Sequence, residues 1–271
     1  MARADLRPPT TGLSRASVVR IAALYDVHGN LPALEAALGA ARRESVDEIV
    51  VGGDVVPGPM AVECLVALET FEAAPVAFLS GNGERETGDA ARGVVSPRLP
   101  GEVHEILRWT ASRLDRESLA RIAAWPTLVR REIQGLGRVL FCHATPDSDE
   151  VIVTRRTSPD DLRSHFAGRD AELVVCGHTH MAFDLELEAS EAGPGVRVVN
   201  AGSVGMPFGP PGAYWALLTP TGVELRRSAY DLEAAAERVR STDFPHADAF
   251  ADANLLSPPG EEEMLDLYSP V

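Results

Sequence analysis

Asp26 and His28 close the first apolar run of the chain, where residues 18–24 lead into Tyr25-Asp26-Val27-His28-Gly29-Asn30. On an extended strand, residues two apart share a face, so a carboxylate and an imidazole leave this strand on the same side as half of a metal site. The pattern then repeats. Gly53-Asp54 follows residues 47–51, Gly81-Asn82 follows 75–79, Cys142-His143 ends 138–141, and Gly177-His178-Thr179-His180 ends 173–176. Asn200-Ala201-Gly202-Ser203 follows residues 196–199. Each of these alone has a dull explanation, because Gly-Asp and Gly-Asn are turn formers and a single histidine after a strand is commonly a loop or core residue. Taken together they point elsewhere: four of the seven histidines, two aspartates and an asparagine all fall at strand exits. Seven nitrogen and oxygen donors suit two divalent cations that share one carboxylate. Imidazole with carboxylate favours Mn, Fe, Zn, Co or Ni over Mg or Ca, which prefer all-oxygen sites.

The elements that must position these donors are short strands alternating with helices. Residues 32–43 read as a helix with Pro32 near its start, entered through a turn at Gly29, and 61–72 as a second. Strands that end in glycine and a donor are the sequence imprint of open α/β sheets, whose sites gather outside the carboxyl ends of strands. Residues 100–125 read as two helices stopped by Pro126. Residues 128–133 and 138–141 flank Gln134-Gly135-Leu136-Gly137 as a hairpin. A helix over 159–166 and a last strand pair, 214–218 and 223–229, follow. The second half is richer in strands than the first, so two mixed sheets packed face to face with helices outside fit this order better than one doubly wound sheet. Residues 83–100, 145–159 and 206–212 read as the loops that shape the pocket.

Composition narrows the partners. The formal net charge of -15 over 271 residues argues against nucleic acid as a stable partner, since counterion release needs a basic footprint. It leaves open a small phosphorylated substrate held by metal, where bound cations dominate the local field. Cys64, Cys142 and Cys176 lie in apolar stretches, as expected of reduced core residues in a cytoplasmic protein. There is no apolar run of membrane-spanning length, so no membrane association is expected, and a homo-oligomer is open. Residues 1–17 read as a flexible leader and 231–271 as a solvated helical, acidic appendage, with an active-site cap or an oligomer contact as the alternatives, on either side of a main domain over 18–230.

The ordered set Asp26-x-His28, Gly53-Asp54, Gly81-Asn82, His143 and Gly177-His178-x-His180 resembles the calcineurin-like metallophosphoesterase superfamily, specifically its small bacterial phosphodiesterases and phosphatases. The resemblance covers about residues 18–230. It implies an α/β fold of four layers, an αββα sandwich of two mixed sheets. It also implies that Asp26, His28 and His180 hold one metal, that Asn82, His143 and His178 hold the other, and that Asp54 bridges them. The implied reaction is in-line attack on phosphorus by a hydroxide held between the metals, with Asp54, Asn82 and His143 central to the chemistry. Substrates are then small phosphodiesters or phosphomonoesters. The alternatives are a nucleotide or dinucleoside polyphosphate hydrolase, a nuclease acting on short oligonucleotides, or a phosphate-binding scaffold without turnover.

One position departs from the family pattern. There, Gly-Asn is often followed by a histidine that protonates the leaving group, whereas this chain reads Gly81-Asn82-Gly83-Glu84. General acid catalysis is commonly worth about 10² to 10⁴ in rate, so poor leaving groups should suffer most and activated diesters should be preferred. Beyond the motif, Arg155 and Arg156 are candidates to hold a substrate phosphate, and Asn30 and Thr145 to contact substrate or orient a ligand. His104 is a candidate proton source or a plain surface histidine. Phe208, in the Pro207-Phe208-Gly209-Pro210-Pro211 run, is a candidate to stack on a base or to pack in its loop.

Overall fold

In the computed structural model, residues 20–189, 191 and 193–268 are described. The expected leader, with Val18 and Val19 of the first apolar run, lies outside them. The first sheet has the order β10-β9-β1-β2-β3, from Gly222–Ser228, Ala213–Thr219, Ile21–Leu24, Glu48–Val51 and Val76–Phe78. Strands β1, β2 and β3 run parallel, and β9 is antiparallel to β1. The second has the order β4-β5-β6-β8-β7, from Leu128–Ile133, Gly137–Cys142, Leu173–Cys176, Val196–Asn200 and Phe183–Leu187. Its three central strands are parallel and both edges antiparallel. These are the two mixed sheets expected from the strand order.

Strand alternation decides which side chains meet. Ile21 and Ala23 of β1, and Tyr25 just after it, face the second sheet and pack with Phe141, Val175 and Val199 in the inter-sheet core. Ala22 and Leu24 face outward under α1 (Leu31–Arg43) and α2 (Ala61–Glu69). On the second sheet, Leu140, Cys142, Val174 and Cys176 turn outward against Leu162 and Phe166 of α6 (Pro159–Phe166). The result is helix, sheet, sheet, helix. The three cysteines are free and buried, and Cys142 faces away from the ligand side, as its place beside His143 on a strand requires.

Helix α1 shows how the sequence starts an element at the site. Asn30 caps it by accepting from the Ala33 N–H at 3.2 Å, Pro32 sits in the first turn, and Arg42 and Arg43 lie in the last. Helices α4 (Gly101–Arg113) and α5 (Arg116–Ala123) form over 100–125, as expected. A helix α3 (Asn82–Ala91) also forms where the sequence read as loop, and β7 adds an edge strand that the sequence did not suggest. No described helix is long and apolar enough to cross a membrane.

The tail is packed rather than solvated. It contains α7 (Leu232–Arg240), α8 (Ala247–Ala251), a π-helical turn over Asp252–Leu256, and α9 (Glu261–Tyr268). Ala235, Val239, Phe244, Phe250 and Leu255 join the same core cluster as α1, and Phe244 meets Trp109 of α4 edge to face with centroids 5.2 Å apart.

Candidate metal centre

Five of the seven expected donors sit in left-handed backbone: Asp26 (φ 54°), His28 (45°), Asp54 (54°), His178 (67°) and His180 (58°). For residues other than glycine this region costs about 1–3 kcal/mol each and persists only where neighbours over-determine it. Here the loops clamp one another. Asp26 N–H donates to the Gly53 carbonyl at 3.1 Å, His28 N–H to Asp54 at 2.8 Å, Gly205 N–H to Asp26 at 2.9 Å, and Gly177 N–H to His143 at 2.8 Å. Ser203 Oγ also donates to the Asp26 carbonyl at 2.8 Å. Asn200 Nδ2 donates to the Gly177 carbonyl (2.7 Å) and to Thr179 Oγ1 (3.0 Å). The Asn200–Ser203 segment therefore positions the ligand turns of both sheets.

The side chains converge. His28 Nε2 and His180 Nε2 lie 3.1 Å apart, with His180 Nε2 3.5 Å from Asp26 Oδ1 and His28 Nε2 3.7 Å from Asp54 Oδ2. His143 Nε2 lies 3.1 Å from Asn82 Oδ1, 3.6 Å from Asp54 Oδ1 and 3.8 Å from Asp26 Oδ1. The His178 ring stands 5.1 Å from that of His143, and its peptide N–H donates to Asp26 Oδ2 at 2.9 Å. A Cβ on Gly177 would come within 2.5 Å of that same oxygen, so glycine is needed before His178. Two overlapping donor groups result, Asp26 with His28 and His180, and Asp26 with Asp54 and His143, each within 4.8 Å. Asp26 is common to both groups, and Asp54, a member of the second, lies 3.7 Å from His28 of the first.

The ring nitrogens facing away from the centre are already used. His143 Nδ1 donates to the Gly52 carbonyl at 2.9 Å and His180 Nδ1 to Met206 at 2.7 Å. Such partners fix the ring orientation and aim Nε2 of His143 and His180 inward. Burial, followed by the proximity of His180, pushes His28 down to about 3. Burial and His143 push His178 down to about 4. Both imidazoles are thus neutral, as metal ligation requires.

Burial works to raise the Asp26 carboxyl, but His180, His143 and His28 hold it well below the ordinary carboxylate range. Asp54 is pushed up by burial, opposed by His143 and reinforced by Glu84 and Asp26. Asp26 Oδ1 is fully buried and has no hydrogen-bond partner among the described residues. A buried carboxylate oxygen left bare between two imidazoles, with other carboxyl groups beside it, fits a cation and little else.

The structure also shows a residue whose role the sequence reading missed. Glu84, 2 % exposed, accepts from the backbone N–H groups of Asp54, Val55 and Gly81 at 2.8 Å and of Val56 at 3.3 Å. One carboxylate thereby joins the turn bearing Asp54 to the start of the helix bearing Asn82. The signal was present, since an acidic residue three after Gly81 has the spacing of a capping box. Burial raises Glu84 and these backbone donors oppose the rise. The missing histidine at 83 has a steric cause. A Cβ on Gly83 would lie 2.1 Å from the Val56 carbonyl oxygen and 2.9 Å from Asp54 Oδ1, and the Gly83 N–H donates to that same Asp54 oxygen at 2.7 Å. No side chain fits there unless the backbone moves.

The remaining candidates are spread around this centre. Asn30, fully buried, donates to the Gly205 carbonyl at 2.9 Å and lies 3.4 Å from the Tyr230 hydroxyl, so it braces the ligand loops. Thr145 lines a pocket of about 210 Å³ with His143, Ser80, Arg85, Thr127 and Ser148. The Arg155 and Arg156 guanidinium groups pair with Glu261, Glu262 and Asp266 of α9. His104 lies 2.9 Å from the Ser96 carbonyl, away from the cluster. Phe208 stacks on His180 with centroids 5.5 Å apart at 28°.

Comparison with known proteins agrees with this geometry. The calcineurin-like phosphoesterase superfamily domain matches residues 19–222. An uncharacterized protein of Methanocaldococcus jannaschii is 26 % identical over 238 residues, covering 83 % of this chain and 93 % of its own. A metallophosphoesterase from Sphaerobacter thermophilus is similar in structure, with TM-score 0.65 at 24 % identity, over 89 % of this chain and 99 % of that one. A hypothetical protein from Pyrococcus horikoshii gives TM-score 0.69 at 18 % identity, over 89 % and 100 %. With its two mixed sheets, its metal-fitting donor groups and a match over most of its length, the chain belongs to the calcineurin-like phosphoesterase superfamily and is a hydrolase of the metallophosphoesterase kind.

Proposed function

We propose that this enzyme hydrolyses small phosphate esters, diesters in preference to monoesters, at a centre for two divalent cations. The observation that carries the reading is the bare, buried Asp26 Oδ1 between His143 and His180. Asp26, His28 and His180 are suited to one cation and Asn82, His143 and His178 to the other, with Asp54 reaching both groups. Cations bound there would polarise the phosphoryl oxygens and bring an attacking water toward neutral pKa. The donor set suits Mn, Fe, Zn, Co or Ni.

The chain's own residues set the limits of the reaction. Gly52 and Met206 hold the Nδ1 side of His143 and His180, so Nε2 is the nitrogen that each turns to the centre. Glu84 fixes the distance between the Asp54 turn and Asn82. Position 83 has no room for an acid, which supports substrates whose leaving groups depart as stable anions and hence aryl diesters over alkyl monoesters. The buried free thiols support action in a reducing compartment such as the cytoplasm.

The test is hydrolysis of bis(p-nitrophenyl) phosphate and p-nitrophenyl phosphate by metal-stripped protein, with Mn, Ni, Zn and Mg restored separately. Turnover that returns with metal and is lost in Asp54→Asn supports the reading. Equal rates on both substrates remove the diester preference. Absence of turnover with every metal removes the catalytic reading.

A further inference from the structure

Helix α9 lies beyond the residues matched by the superfamily domain, yet it is tied to loops beside the metal centre. Two loops beside the His178–His180 turn hold it. From the first, Arg155 pairs with Glu261 at 3.1 Å and with Glu262, and Arg156 with Glu262 and Asp266 at 2.6 Å each. That loop abuts the ligand turn, because Thr179 Oγ1 donates to the Val153 carbonyl at 3.0 Å. On the second, Gly209 N–H donates to the Pro259 carbonyl at 2.8 Å, one residue from Phe208, whose own N–H donates to the His180 carbonyl at 3.4 Å. Leu265 is fully buried beneath the helix. These anchors set Tyr268 against Phe208, with centroids 6.2 Å apart at 64°, while Phe208 lies flat on His180.

His180, Phe208 and Tyr268 therefore form a row of rings running outward from the Asp26, His28 and His180 group. Phe208 and Tyr268 each keep part of their surface open. Burial raises the Tyr268 phenol, and the Asp26 carboxylate adds to the rise, so the ring lies within the field of the centre. Arg155 and Arg156, on the loop beside the His178–His180 turn, are taken up by the acidic face of α9. On this side the rim therefore offers π-surface to a substrate, with the Arg155 and Arg156 guanidinium groups already committed to α9.

We propose that Tyr268 and Phe208 form a substrate-facing aromatic wall, supplied in part by the C-terminal helix, that selects phosphate esters carrying a flat group such as a nucleobase. The inference rests on the phosphoesterase reading of the same centre and adds the class of substituent that the ester bears. A ring standing on the wall gains stacking, for which alanine substitution costs roughly 5- to 150-fold per base in other stacking sites. The Arg155 and Arg156 pairs are positioning contacts that keep Tyr268 in place.

The test is calorimetric binding of thymidine 5′-monophosphate and of 2-deoxyribose 5-phosphate to Mn-loaded full-length protein. The two ligands share the phosphate and the sugar and differ in the base. Wild type should prefer thymidine monophosphate by about tenfold or more, and Tyr268→Ala should bring the ratio close to one. Tyr268→Phe, which keeps the ring, should retain the preference, and an unchanged melting temperature in both variants separates this from misfolding. Arg155→Ala with Arg156→Ala should lower the ratio partway. Equal affinity of wild type for the two ligands overturns the aromatic wall alone, as does a ratio that survives Tyr268→Ala. Failure of both ligands and of inorganic phosphate to bind overturns the phosphoester centre and the wall with it.

Discussion

The two sheets bring different chemistry to the centre. The exits of β1, β2 and β3 supply Asp26, Asp54 and the Asn82 amide, with His28 their single imidazole, while the second sheet supplies only imidazoles, His143, His178 and His180. Neither half offers both kinds of donor in full. The carboxylates would sit buried beside one another without counter-charge, and the imidazoles would lack anionic charge to hold a dication. The site exists only when Tyr25, Phe141 and Val175 close the inter-sheet core, so this hydrophobic packing is a condition of the chemistry and not merely its support.

The largest effect expected follows from removing charge on the oxygen-rich side. Asp54→Asn keeps shape and loses an anion, and steady-state kinetics with saturating metal should show kcat lower by about 10³ or more, the scale of several kcal/mol of transition-state stabilisation. A loss of less than tenfold would mean that Asp26 alone carries the shared role.

Next comes the contact between the two first-sheet turns. Gly83→His forces a Cβ against the Val56 carbonyl and Asp54, and urea unfolding should show a loss of about 3 kcal/mol, the upper range for overpacking. A variant as stable as wild type would mean that the turn yields, and would reopen position 83 to an acid. Glu84→Gln places an amide N–H₂ among backbone donors. Metal titration should show affinity or activity down by about 10- to 100-fold, as for other residues that orient ligands. Its effect should concentrate on the Asp54 and Asn82 side.

Tyr25→Phe sharpens the comparison from the inter-sheet core. The Tyr25 hydroxyl donates to the Val175 carbonyl at 2.9 Å across the sheets, and its loss should cost about 1 kcal/mol of stability, with metal affinity moving little. The smallest effect is a protonation difference. In metal-free protein the His28 and His178 rings, pushed down to about 3 and about 4 by burial and neighbouring imidazoles, should stay neutral as pH falls from 7 to 5, where an ordinary imidazole, with a pKa of about 6.5, gains its proton. Nitrogen chemical shifts read this directly, and protonated rings at pH 5 would contradict the burial that sets these values.

The ligand exits were legible because the backbone geometry they need selects residue types that stand out in a sequence: glycine for close approach, aspartate and histidine for left-handed turns. The strands around them were legible by short apolar runs. Helix α3 was not, because Asn82-Gly83-Glu84-Arg85-Glu86-Thr87-Gly88-Asp89 carries two glycines and no apolar period. It is held instead by the bonds of Glu84 and by packing on α4. Strand β7 alternates Phe183, Leu185 and Leu187 with Asp184 and Glu186 at a sheet edge, a signal too short to separate from loop. Arg155 illustrates a further limit. A basic residue near a metal motif suggests phosphate, and only the docked position of α9 shows its guanidinium committed to Glu261 and Glu262.

The left-handed turns under five of the donors bear on how this centre should be probed. Replacement by alanine removes a donor but also places a poor residue for that backbone, and replacement by valine or threonine is worse still. Asparagine is among the residues that accept such a turn most readily. A scan that uses asparagine at Asp26, Asp54 and the three histidines of this group compares electronic roles, whereas an alanine scan at the same positions would register conformational cost as lost catalysis.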